Sequence, residues 1–183
     1  MMRRPIFLDR DGVLNVDITP YVTHLEKLEL FPYTVEALRR LHGAGYDLYV
    51  VSNQQGVALG LTPIEEVAKI DAAIQAALAP HGFQIRKFYY CYSHDEANDP
   101  CRKPGPGMLL KAREEFGLTL EGAFFVGDKD TDMECGRAVG CRPLLVLSGV
   151  TSPEAAAELS PQPEGTFETL LEAVEYVLDD TPD

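Results

Sequence analysis

Positive charge is scarce in this sequence: 16 lysine and arginine residues stand against 29 aspartate and glutamate residues, for a formal net charge of -13. A mean field of that sign repels nucleic acids and anionic membranes, so neither is expected as a partner. Any phosphate that binds must be held by a local group of cations. Long apolar runs are lacking as well. No stretch approaches the length of a membrane span, and the basic start Arg3-Arg4 passes straight into Ile6-Phe7-Leu8 without the apolar core of a signal peptide. The four cysteines, Cys91, Cys101, Cys135 and Cys141, accompany no secretion signal. They are expected to be reduced in a cytoplasmic protein rather than paired as a disulfide framework. Internal repeats are absent.

What is present is an ordinary globular composition, 45% hydrophobic over 183 residues, enough to hold one core and one domain spanning 1–183. Short apolar runs alternate with longer stretches of helical period, the signature of a parallel sheet flanked by helices. Strands are expected over 5–8, 47–52, 86–92, 123–126 and 143–147. Helices are expected over 34–41, from Pro63 onward, and over 108–116, 131–139 and 166–178. The helix at Pro63 carries a full set of start signals, with Thr62 as N-cap and Glu65 in the capping-box position. Ile64, Val67, Ile74 and Leu78 would form its buried face. The stretch 148–165, rich in Ser, Pro, Gly and Ala, reads as a surface connection.

In open parallel sheets ligands bind at the carboxyl ends of the strands. The residues found there are Asp9-Arg10-Asp11-Gly12, Ser52-Asn53-Gln54, and Gly127-Asp128-Lys129 with Asp132 one turn on. Cys101-Arg102-Lys103-Pro104 precedes a helix. Carboxylates at Asp9, Asp11 and Asp128 repel one another unless a cation joins them, and oxygen donors suit Mg²⁺. Asp9 would then attack phosphorus as a nucleophile, with Asp11 as general acid and base and its backbone carbonyl as a further metal ligand. Ser52, Asn53, Gln54 and Lys103 would hold the phosphoryl oxygens, and Arg10, Arg102 and Lys129 would make the local field positive. Taken alone, Ser52-Asn53 also reads as a helix cap, Lys103 as a loop lysine, and Asp132 as a residue favouring the positive end of its helix.

At these motifs the chain resembles the haloacid dehalogenase (HAD) superfamily of phosphatases, and within it the branch of heptose bisphosphate phosphatases and histidinol-phosphatase domains. The matching stretches are Asp9-Arg10-Asp11-Gly12-Val13-Leu14-Asn15, Ser52-Asn53-Gln54-Gln55-Gly56, Arg102-Lys103-Pro104 and Gly127-Asp128-Lys129. The resemblance implies a Rossmann-like three-layer α/β/α domain with a minimal cap. It also implies Mg²⁺ on Asp9, Asp128 and the Asp11 carbonyl, and phosphate on Ser52 and Lys103. Arg102 and the loop from Asp17 to Tyr21 would contact the sugar of a small phosphorylated metabolite, a heptose 1,7-bisphosphate first, histidinol phosphate or another sugar phosphate second. Two departures stand out. The branch often carries a zinc loop, whereas this chain offers Cys91, His94 and Cys101 with Asp99 in place of a cysteine, so zinc is an open possibility there. Leu59 occupies a position where an arginine is common. A different class, a receiver-like phosphoacceptor module, shares the acidic cluster, but its phosphoacceptor would lie on a middle strand, where this chain has Ser52.

Overall fold

A computed structural model describes residues 3–180; the ends of the expected 1–183 domain lie outside the described residues. Six strands form one parallel sheet in the order β3-β2-β1-β4-β5-β6. They are β1 (Arg4–Leu8), β2 (Tyr46–Asn53), β3 (Lys87–Cys91), β4 (Phe124–Gly127), β5 (Arg142–Val146) and β6 (Gly165–Phe167). Between them run α1 (Thr34–Gly43), α2 (Ile64–Leu78), α3 (Gly107–Phe116), α4 (Asp130–Arg137) and α5 (Pro153–Glu158), and α6 (Leu170–Asp179) follows β6.

The strands read as unbroken apolar runs because both faces of the sheet are covered. Alternation then deals each strand's side chains to two layers. Ile6, Leu8, Leu48, Val50 and Val126 join Leu38, Leu41, Ile70, Ile74, Val174 and Val177 from α1, α2 and α6. Phe7, Tyr49, Val51 and Phe125 face the opposite way and pack on Met108, Leu109 and Ala112 of α3 and Cys135 of α4. This is the three-layer α/β/α arrangement that the motifs imply. The segments between β1 and α1 and between β2 and α2 add only one short 3₁₀ turn, Leu25–Lys27, as a cap.

Three local expectations are corrected. Helix α2 has Pro63 at the N-cap position with no side-chain cap, and Thr62 instead buries its hydroxyl. Ile64 is exposed, and Ile70 completes the buried face with Val67, Ile74 and Leu78. The expected helix at 166–178 begins only at Leu170, capped by the Thr169 hydroxyl, because Thr166 belongs to the three-residue edge strand β6. The stretch 148–165 contains α5, started by Ser152 as N-cap and Pro153 in the first turn.

Candidate active site

Leu8 pairs with Val50 on one side and Val126 on the other. The chains leaving β1, β2 and β4 therefore emerge side by side where the strand order reverses, the usual ligand position of an open α/β sheet. A cavity of ≈310 Å³ opens there, lined by Asp9, Asp11, Tyr21, Ser52, Asn53, Gln55, Arg102, Lys103 and Lys129 among others. Other hollows lie beside Arg4 and Arg142 and beside Arg3 and His42; among the described residues no three metal-ligating side chains converge there.

Asp9, Asp128 and Asp132 are buried, and each offers an oxygen within 4.8 Å of the others. Lys103 is buried among them: its ammonium lies 3.1 Å from Asp9 Oδ1 and 2.5 Å from Asp132 Oδ1, and it donates to the Val51 carbonyl at 2.9 Å. Burial works against that charge, yet Asp132 and Asp9 outweigh it and raise the lysine's pKa. One ammonium cannot balance three carboxylates. The excess falls on Asp128, whose carboxyl is pushed up to about 8 by burial, then by Asp9 and Asp132. Its Oδ2 accepts from the Val150 N–H at 3.0 Å, while its Oδ1 is buried without a hydrogen-bond partner. An orphaned carboxylate oxygen in a buried anionic cluster fits a hard divalent cation such as Mg²⁺.

Asp132 holds its neighbours in place. Its Oδ2 accepts from the backbone N–H groups of Asp128 and Lys129, both at 3.1 Å, and its Oδ1 meets Lys103. Burial pushes its carboxyl up against the opposing pull of Lys103. It does sit in the first turn of its helix, as its residue type suggests, but its charge is spent on fixing the site.

Asp11 is held by three donors. Asn15 reaches Oδ1 at 2.9 Å, Gln54 reaches Oδ2 at 2.7 Å, and the Arg10 guanidinium approaches both at 3.1 Å. Burial would raise the Asp11 pKa, but Arg10, Asn15 and Gln54 together lower it below the usual value. Arg10 is fully buried and also donates to Gln54 Oε1 at 3.1 Å, so its charge serves Asp11 and not the cavity. Gln54 likewise turns inward, linking Arg10, Asp11 and the Ser52 hydroxyl.

Of the two adjacent glutamines, Gln55 is the one on the cavity wall. It accepts from Arg102 at 2.7 Å. Arg102 also donates to the Ser93 carbonyl at 3.0 Å and pairs with Asp95. Asn53 exchanges two hydrogen bonds with the Lys103 backbone, at 3.0 and 3.1 Å, and so ties the loop before α3 to the end of β2. Lys129, on the cavity wall, pairs with Asp17 at 3.6 Å, and Tyr21 forms another part of that wall.

Of the possible zinc ligands, Cys91, Asp99 and Cys101 are neighbours, the Cys91 thiol lying 3.9 Å from Asp99 Oδ2, but they do not converge as a group of ligand atoms. Among the described residues the one converging group of metal-ligating side chains is Asp9, Asp128 and Asp132. His94 is exposed, and Asp99 accepts instead from the Ser93 hydroxyl and, at 2.8 Å, from the Cys101 N–H. Aspartate in place of a cysteine thus ties the loop by hydrogen bonds. The segment after β5, read in sequence as surface, proves to touch the site: Val150 and Thr151 bond to Asp128, and the Ser148 hydroxyl donates to the Gly12 carbonyl at 2.7 Å. Its only signal was its place after a strand, the rule applied to the other segments.

Comparison with known proteins adds a family. A family model described as HAD-hydrolase-like matches residues 100–173. A D-glycero-beta-D-manno-heptose-1,7-bisphosphate 7-phosphatase of Pseudomonas aeruginosa is 37% identical over 91% of this chain and 92% of its own length. A D-glycero-D-manno-heptose-1,7-bisphosphate 7-phosphatase of Thermosynechococcus vestitus is 35% identical over 97% and 96%. Among solved structures, the D,D-heptose 1,7-bisphosphate phosphatase of B. bronchiseptica, complexed with magnesium and phosphate, superposes with a TM-score of 0.91 at 29% identity, covering 97% of this chain and 99% of that one.

Proposed function

The chain belongs to the heptose-bisphosphate phosphatases of the HAD-like hydrolases and is a phosphatase, and from that premise we propose that it removes the 7-phosphate of a D-glycero-D-manno-heptose 1,7-bisphosphate. The observation that carries the chemistry is the buried trio Asp9, Asp128 and Asp132 around Lys103, with one Asp128 oxygen left without a partner. Asp9 and Asp128, with the Asp11 carbonyl, would hold Mg²⁺. When bound, the cation neutralises the excess anionic charge of this trio and lowers the repulsion between a carboxylate nucleophile and a phosphate dianion.

Asp9 is the nucleophile. Its Oδ1 is fixed by the Arg10 N–H at 2.7 Å and by Lys103, which restricts the carboxylate to one orientation at the cavity floor. A bond forms from Asp9 oxygen to phosphorus as the bond to the sugar oxygen breaks. The leaving oxygen takes a proton from Asp11, and in the second half Asp11 takes one from the water that hydrolyses the aspartyl-phosphate. The three donors around Asp11 suit the base role as they stand. The acid role requires Asp11 to exchange those bonds for a proton. Ser52 and Lys103 face the transferred phosphoryl group, while Arg102, Gln55, Tyr21 and Lys129 face the sugar. Domain span 1–183 and a cytoplasmic site of action belong to the same reading.

The test is phosphate release by the purified protein with Mg²⁺ from the two anomers of the heptose bisphosphate, histidinol phosphate and a hexose monophosphate. One heptose anomer is expected to show the highest kcat/KM, with loss on chelation. Equal, weak activity on every compound would reject the substrate, and a preference for histidinol phosphate would replace it.

A further inference from the structure

We propose that the segment Ser148, Gly149, Val150 and Thr151 is a positioning element of the cation site, which clasps the loops after β1 and β4 together so that Asp128 presents its unpartnered oxygen to the metal. The inference rests on the reading of Asp128 as a metal ligand. It goes beyond it by assigning a role to a segment outside the strand-end motifs.

Four contacts, each made by a different residue, converge. The Val150 N–H donates to Asp128 Oδ2 at 3.0 Å and so consumes one of the two carboxylate oxygens. The Thr151 hydroxyl donates to the Asp128 backbone carbonyl at 2.5 Å, which fixes the main chain behind that side chain. The Ser148 hydroxyl closes the other side by donating to the Gly12 carbonyl at 2.7 Å. Between them Gly149 lies against the carboxylate itself: a Cβ there would stand 2.0 Å from Asp128 Oδ2 and 2.5 Å from its Cγ.

Gly12 mirrors it from the β1 side. Its backbone has φ +81°, and a Cβ there would stand 2.6 Å from Asp128 Oδ2 and 2.9 Å from the Gly149 Cα. The Asp128 carboxylate is thus gripped between two glycine backbones, with its rotamer set by lack of space as well as by the Val150 N–H. Because Asp128 is fully buried, the carboxylate has no solvent-side room into which a new methyl group could push it. Loss of partners that orient a ligand without touching the metal typically costs about 10- to 100-fold in metal affinity.

The experiment is Mg²⁺ titration by calorimetry of four metal-free proteins: the natural chain, Asp128→Asn, Gly149→Ala and Gly43→Ala. Gly43, at the end of α1, has open space where its Cβ would go, so its variant controls for a glycine replacement as such. Gly149→Ala is expected to weaken Mg²⁺ binding by about 10- to 100-fold while Gly43→Ala binds normally. If Asp128→Asn binds as tightly as the natural chain, the ligand assignment is wrong and the inference falls with it. If Asp128→Asn weakens binding but Gly149→Ala does not, the inference alone is overturned. Should circular dichroism show Gly149→Ala unfolded, Thr151→Val decides. It removes one hydroxyl, and retention of natural Mg²⁺ affinity would overturn the proposal.

Discussion

Asp11 illustrates how one side chain's neighbours define its chemistry. Arg10, Asn15 and Gln54 occupy its acceptor positions and favour the ionised form, so a proton for the leaving group must be taken up against them. The need for that proton depends on the substrate. A sugar alkoxide cannot leave without one, whereas p-nitrophenolate can. Asp11→Asn should therefore lower turnover of a sugar phosphate by about 10²- to 10⁴-fold. Formation of the phosphorylated enzyme from p-nitrophenyl phosphate, measured as the burst of p-nitrophenolate that departs in that same step, should be slowed much less. Equal losses in the two assays would remove Asp11 from the proton transfer. The same network separates Gln54 from its neighbour, a distinction the sequence does not carry. Adjacent residues Gln54 and Gln55 are chemically identical, and only the bonds to Arg10 and Ser52 reveal which one turns inward.

At the scale of elements, α6 and α2 make opposite predictions from similar-looking threonines. Thr169 accepts from the Glu172 N–H at 3.3 Å and starts a helix whose Leu170, Val174 and Val177 are buried. Thr169→Ala should cost about 1 kcal/mol of stability in urea unfolding while leaving kcat unchanged. Thr62 has the better cap signature in sequence, yet its hydroxyl is buried without a partner, so Thr62→Val should be neutral or stabilising in the same assay. Local capping rules failed there because tertiary packing against Gly56, whose Cβ position lies 2.5 Å from the Thr62 hydroxyl, takes precedence. The five longer strands were readable because burial on both faces makes their central residues apolar, and the four motif segments because strand ends are where this architecture binds. Strand β6 has three residues, one of them glycine, and no periodicity can show so short a run. The contacts of the segment after β5 were hidden for another reason: they use one backbone N–H, a glycine and two ordinary hydroxyls, none of which advertises a site.

For the whole molecule, the excess of buried carboxylate links metal binding to pH and stability. With its folded pKa near 8, above the ordinary 3.8, the Asp128 carboxyl binds a proton more tightly in the folded chain than in the unfolded one. Its stabilisation is therefore full below the unfolded value and is withdrawn as pH rises towards 8. A cation bound as proposed would replace that proton. Saturating Mg²⁺ should accordingly raise Tm more at pH 8 than at pH 6, read by thermal unfolding with and without EDTA. An equal shift at the two pH values would contradict the linkage.

The basic groups around the cavity are already matched by carboxylates: Lys103 by Asp9 and Asp132, Lys129 by Asp17, and Arg102 by Asp95. A free phosphate entering this space must compete with resident anions for each of these three side-chain cations, in a molecule whose overall field pushes it outward. Such a site makes a poor trap for its own product. On the proposed mechanism, the acidic balance that seemed at odds with a phosphate ligand would favour turnover, because it would help inorganic phosphate depart once the bond to Asp9 is broken.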